Sequence, residues 1–139
     1  MAERFAPAFL SPLELEVLDD ERFRLVVPLV YRSRVLGDTL VIPEGFLTDL
    51  ASVPRLPLVF WWYGGRARKA SVPHDFLYQR HLVGKATADQ VFLEAMALID
   101  DLPAPIRWTM YQGVVWGGGS AWRSGPSRYQ VLGNPACMP

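Results

Sequence analysis

Three short stretches in the middle of the chain carry the side chains best suited to chemistry: FLTDLASVP at 46–54, HDFLY at 74–78 and TADQVF at 87–92. They set one histidine, His74, among three acids, Asp49, Asp75 and Asp89. A neutral imidazole oriented by a carboxylate is the minimal apparatus of a general base, and the same groups with a further acid can hold a divalent metal. On a helix, His74 and Tyr78 are four apart and share a face, while Asp75 points about a quarter-turn away. If His74 stands in the first turn of that helix, the positive end of the dipole disfavours imidazolium and keeps the ring neutral.

Each residue also has a plainer use. Asp89 falls in the first turn of its own predicted helix, where an acid is favourable on local grounds. Asp49 and Ser52 can close an Asx or Ser turn on their own backbone. His74 can be a structural histidine satisfied by a backbone carbonyl or by Asp89. A short loop at 83–87 makes the two helices antiparallel neighbours, which sets their N-termini, and so His74 and Asp89, at opposite ends. Contact between them then needs a large crossing angle or a short first helix. Ser52 with His74 and an acid would supply the parts of a hydrolytic triad, but no G-x-S-x-G elbow surrounds it. His81 lies seven residues after His74 and could join Asp75 on a metal, although no H-E-x-x-H spacing is present. The candidate site is therefore His74, Asp89, Tyr78 and Asp49, with Asp75 as the metal-ligand candidate. No cofactor is firmly implied; calcium or zinc would suit these ligands.

The elements that must position these residues change period along the chain. Residues 13–18, 22–33 and 38–42 alternate as short strands punctuated by Gly37, Pro43 and Gly45, and predict an antiparallel meander with Pro28 at an edge or bulge. After Gly65 the period is helical. Pro73 suits the first turn of a helix reaching about residue 82, with Gly84 as its stop. Thr87 and Gln90 form a T-x-x-Q capping box for a second helix, with Val91, Ala95 and Leu98 on one face and Phe92, Met96 and Ile99 on the next, ending at Pro103. Pro105 opens a third, with Ile106, Met110 and Val114 at helical spacing, stopped by Gly117, Gly118 and Gly119. The expected class is α+β: a small β meander in the N-terminal half, then two or three packed helices.

The 139 residues fit one domain, with a core at about 13–119 and an extended tail at 120–139. Half the chain is hydrophobic and a fifth charged, enough for a real core. The 14 basic and 14 acidic residues cancel, which gives no overall footprint for nucleic acid or an anionic membrane; Arg66, Arg68 and Lys69 form only a local basic group. A single cysteine, Cys137, excludes an intrachain disulfide and a thiolate zinc site. MAERFAPAFL does not read as a signal peptide, and the longest apolar run, LPLVFWWY, is far short of a membrane span. Cytosolic synthesis without a transmembrane segment is the expectation. The aromatic run at Phe60, Trp61, Trp62 and Tyr63 is either core or a docking loop.

F-x-T-D-x-A-S-V-P, H-D-x-L-Y and A-D-x-x-F-x-x-A-M, here Phe46 to Pro54, His74 to Tyr78 and Ala88 to Met96, resemble a family of small phage and prophage proteins, the domain of unknown function 1353. MYQGVVWGG resembles the family's closing helix, so the likeness spans about residues 25–119. It implies a phage origin and assigns no activity. The H-D-x-x-Y helix is also similar to that of secreted and parvoviral phospholipases A2. That likeness implies His74 as the base that activates water, Asp75 as a calcium ligand, and Tyr78 and Asp89 fixing the imidazole. The glycine-rich calcium loop of those enzymes is not recognisable before His74, and their supporting disulfides are impossible here. Two functions follow as expectations. One is a virion-associated tail or baseplate component, made in the host cytoplasm, that binds other phage structural proteins through the Trp61/Trp62 loop and the C-terminal tail. The other is a small envelope-directed hydrolase with His74 as base.

Overall fold

The computed structural model describes residues 6–19, 22–48 and 67–123. Six short strands come first: β1 (Ala8–Phe9), β2 (Leu15–Val17), β3 (Phe23–Leu25), β4 (Leu29–Ser33), β5 (Asp38–Ile42) and β6 (Leu47–Thr48). Four helices follow: α1 (Arg68–Arg80), α2 (Lys85–Met96), α3 (Ala104–Gly117) and α4 (Gly119–Arg123). The class is α+β, as the change of period predicts. The strands do not form one meander, however. They make two antiparallel three-stranded sheets, ordered β1-β4-β5 and β2-β3-β6. The run 22–33 divides between them, because Val26–Pro28 leaves the ladder and Pro28 has no amide hydrogen to donate.

The strand β4 is the inner strand of its sheet, paired to β5 from Leu29↔Ile42 to Ser33↔Asp38 and to β1 at Phe9↔Tyr31. Leu29, Tyr31 and Ser33 are buried on one side of it, the period-two pattern of a half-covered strand. Leu25, Leu29, Ile42 and Phe46 pack against Val72 and Phe76 of α1. On the opposite side, Leu77 and Tyr78 join Ala88, Val91, Phe92, Ala95 and Met96 of α2 and Met110 and Val114 of α3. Helix α1 therefore lies between sheets and helices, and ten consecutive residues, Ala70 to Gln79, are buried. A helix enclosed on all sides has no solvent face on which to put polar residues, so those it carries must find partners inside the protein.

Helix α1 corrects the expected boundaries. It starts at Arg68, so Pro73 lies in its second turn, where it removes one main-chain bond but does not open the helix. It stops at His81, not at Gly84: His81 takes the left-handed conformation (φ 52°) and its amide donates to the Leu77 carbonyl. Gly84 instead caps α2 in an extended conformation, with the Ala88 amide bonded to its carbonyl. The T-x-x-Q capping box does not form, because α2 has already begun when the chain reaches Thr87. That helix ends at Met96, well before Pro103. Helix α3 matches expectation, with Pro105 in its first turn and Met110 and Val114 buried. Helix α4 takes in Gly119, expected as a helix stop, and residues 120–123, expected in an extended tail, and it folds Trp122 back onto α1.

One tie between sheet and helices is absent from the sequence reading. Glu94 of α2 reaches the β4–β5 turn and accepts bonds from Tyr31 Oη (2.7 Å), Ser33 Oγ (2.7 Å) and the amides of Arg34 and Val35 (3.0 Å each). Burial first, and the Glu94 carboxylate second, raise the Tyr31 phenol above its ordinary value, so it remains a donor.

Candidate functional site

Because α1 is longer than predicted, His74 stands at its middle, and the objection that the two helix N-termini lie apart no longer applies. His74 Nε2 lies 2.8 Å from Asp89 Oδ1, and the Tyr78 hydroxyl donates to the same oxygen at 2.6 Å. Lys85, one turn before Asp89 on α2, donates to Asp89 Oδ2 at 2.8 Å. The same ammonium reaches the carbonyls of Val114 (2.9 Å) and Val115 (3.2 Å) in the last turn of α3. Asp89 thus links three helices, and the predicted trio of His74, Tyr78 and Asp89 is brought together.

The imidazole is fully buried, with its ring centroid 4.1 Å from that of Tyr78 and 4.9 Å from that of Phe92. Burial lowers its pKa below the ordinary histidine value despite the opposing pull of Asp89, and the Lys85 charge lowers it further. The expected direction holds, but its cause is desolvation and not a helix N-terminus. Burial pushes the Asp89 carboxyl upward, and the bonds from His74, Lys85 and Tyr78 together outweigh it and leave the pKa below the usual aspartate value. Burial and Asp89 both raise the Tyr78 phenol, so it stays protonated.

These ionisation states fix the tautomer. An anionic Asp89 only accepts, so the neutral imidazole carries its proton on Nε2 and donates it to Oδ1. Nδ1 then bears the lone pair, and among the described residues it has no hydrogen-bond partner. A buried imidazole nitrogen left unpaired while its opposite nitrogen is anchored is the arrangement a general base requires. Tyr78 is held from the far side by the chain after α3. A Cβ on Gly118 would lie 2.7 Å from the Tyr78 hydroxyl and 2.5 Å from the Val114 carbonyl, so glycine is what lets the backbone pass.

Asp75 points elsewhere. Its Oδ2 accepts from the Thr48 hydroxyl of β6 and from Gln79 Nε2 (3.3 Å), and Gln79 also donates to the Leu47 carbonyl (3.1 Å). This carboxylate fastens α1 to β6. A calcium or zinc ion would need that oxygen free and further anionic ligands beside it. Among the described residues no group of three His, Cys, Asp or Glu side chains is placed to hold a metal. No step below passes through an ion. His81 turns away from His74: its ring stacks on Trp122 at 3.8 Å, and its Nε2 lies 3.0 Å from the Trp122 carbonyl. Asp49, Ser52, the Trp61/Trp62 run and residues 124–139 lie outside the described residues.

The profile of a family described as a protein of unknown function, DUF1353, matches residues 23–114, well over half the chain. The chain belongs to the DUF1353 family. No curated protein and no solved structure matches it. The matched DUF1353 region runs from β3 to the last turns of α3, and so contains His74, Asp75, Tyr78, Lys85 and Asp89. Gly118 and Trp122 lie just beyond it. Sequence reasoning missed Lys85 and Gly118. Lys85 carried a usable signal, the four-residue spacing to Asp89. Gly118 looked like one helix stop among three.

Proposed function

We propose that this protein is a small hydrolase in which His74 is the general base and Asp89, Tyr78 and Lys85 are positioning residues. The observation that carries the reading is the division of labour on one imidazole: Nε2 is committed to Asp89, and Nδ1 is a lone pair with no partner among the described residues. In the step this arrangement suits, Nδ1 takes a proton from water as the water oxygen attacks an ester carbonyl. The imidazolium so formed is stabilised by the Asp89 carboxylate across 2.8 Å. It then returns the proton to the departing alkoxide, so that ester and water become acid and alcohol. An ester of the cell envelope is the substrate class, on the likeness of the H-D-x-x-Y helix to that of lipid hydrolases.

The test is hydrolysis of short-chain and micellar phospholipid esters by the wild type and by His74→Ala, with folding checked by urea denaturation. Turnover that is lost in a folded His74→Ala protein supports the proposal. No turnover by the wild type on any envelope ester, with or without added calcium or zinc, overturns it.

A second reading is favoured by the complete burial of the ring. Here the network is a set of buried ties that gives the fold its specificity, and the protein works through its surfaces as a tail or baseplate component of a phage particle. Mass spectrometry of purified virions separates the two: its presence at a fixed copy number favours the particle component, and its absence rules that role out.

A further inference from the structure

Strand β1, the first turn of α1 and the turn after α2 border an open cavity of about 430 Å³. Pro7, Phe9, Leu98 and Ile99 give it an apolar lining, and two charged side chains, Lys69 and Asp100, complete it. Its size lies within the range of small-molecule sites, roughly 300–1,000 Å³. Each wall is held by bonds of its own. Strand β1 is paired to β4 at Ala8↔Arg32 and Phe9↔Tyr31, and Arg32 Nε donates to the Ala6 carbonyl at 2.7 Å. The Phe9 ring is braced by that of Tyr31, 4.8 Å away between centroids. After α2, the Leu98 and Ile99 amides donate to the carbonyls of Ala95 and Met96 at 3.1 Å each, and Asp101 takes the left-handed conformation (φ 59°) that turns the chain. The cavity is therefore formed before any ligand arrives.

The two charges of the lining are opposite and unpaired. Lys69 is half-buried, and its ammonium lies 4.7 Å from the centroid of the Phe9 ring, a cation–π contact that holds it at the cavity. Among the described residues Lys69 has no carboxylate partner, and Asp100 has neither a hydrogen bond nor an ion pair. They line one cavity without meeting each other. A ligand with one carboxylate and one ammonium pairs with both, whereas a simple anion or cation gains one contact and is repelled by the other group. An apolar body suits the rest of the lining, and it covers Leu98, a large apolar side chain left 37% exposed.

We propose that this cavity binds a small zwitterion with an apolar side chain, its carboxylate on Lys69 and its ammonium on Asp100. That is the chemistry of a free apolar amino acid or of a short apolar peptide. The cavity shares no residue with the His74 site, so either proposal stands if the other fails. The test is titration of the nitrogen-15-labelled full chain with leucine and with leucyl-leucine, followed by amide correlation spectra. N-acetylleucine and leucinamide, which each keep one charge, are the controls, and Lys69→Gln and Asp100→Asn are the variants. The expected result is saturable shifts at the Ala8, Phe9 and Ile99 amides with leucine, with leucyl-leucine or with both, which identifies the source. Removing either charge, from ligand or from protein, should weaken binding by about tenfold. Unchanged spectra away from the cavity establish that the variants fold, and the analogues test the charges on the unaltered protein. No saturable shift with either zwitterion overturns the proposal. Shifts confined to other parts of the chain, equal binding of the singly charged analogues or undiminished binding by either variant would also overturn it.

Discussion

Acidification combined with His74→Gln separates a neutral buried imidazole from every other feature of the fold. The glutamine amide nitrogen reaches about where Nε2 lies and can still donate to Asp89, but it does not ionise. In the wild type, burial depresses the folded-state pKa of His74. The unfolded chain therefore binds a proton near the ordinary histidine value of 6.5 while the folded protein does not. With more protons on the unfolded state, stability is full above about pH 6.5 and falls as pH drops toward the folded-state pKa. The limiting slope for one proton is about 1.4 kcal/mol per pH unit. Asp89 is also depressed, so its contribution is present above the ordinary value of 3.8 and lost only below it, outside the window that matters here. Urea denaturation followed by tryptophan fluorescence at pH 7.5, 6.5 and 5.5 provides the assay. The wild type should lose about 1 kcal/mol more than His74→Gln between pH 6.5 and 5.5, a midpoint difference of roughly 0.5 M at typical urea m-values. Parallel pH profiles in the two proteins would refute the argument, because they would mean that His74 takes up protons alike in the folded and unfolded states.

Two further perturbations address the supports of the site. Glu94→Ala removes the acceptor shared by the Tyr31 and Ser33 hydroxyls, both buried; at about 1–2 kcal/mol for each stranded donor the loss is about 2–4 kcal/mol. A fall of roughly 10 °C in thermal midpoint is expected, and a change within 2 or 3 °C (about 0.5 kcal/mol) would show that the β4–β5 turn is held by other contacts. Gly118→Ala forces its new methyl group against the Tyr78 hydroxyl and the Val114 carbonyl. It should destabilise the protein by about 1–3 kcal/mol. In Tyr78→Phe, which lacks the hydroxyl, the further cost of Gly118→Ala should be smaller; equal costs in the two backgrounds would dissociate Gly118 from Tyr78.

The class of the fold and the pairing of His74 with Tyr78 were legible because both follow from local period: alternation for strands and four-residue spacing for one helix face. Helix α3 was placed correctly since its proline opening and its Ile106, Met110, Val114 stripe agree. The start of α1 was not legible. Pro73 resembles a helix opener, and only enclosure by two sheets and two helices makes a proline in the second turn tolerable. That error hid the contact between His74 and Asp89, because it placed the histidine at the wrong end of its helix. The division of the 22–33 run into two sheets depended on pairing with β1 and β6, two-residue strands with no period of their own. Lys85 and Glu94 act on carbonyls, hydroxyls and amides distant in sequence, contacts that residue type alone does not announce. Asp75 was a metal-ligand candidate through its place beside His74, and its Oδ2 bonds to Thr48 and Gln79 depend on residues that its own helix pattern only partly names.

The account turns on which nitrogen of His74 carries the proton. Long-range proton–nitrogen correlation spectra of the uniformly nitrogen-15-labelled protein at pH 7, with His74→Gln identifying the lost signals, read this directly. The expected pattern is a neutral ring with Nε2 protonated and Nδ1 unprotonated, and it should persist below the ordinary histidine value of 6.5. An Nδ1–H tautomer, or an imidazolium at pH 7, would contradict the assignment of Nδ1 as the base.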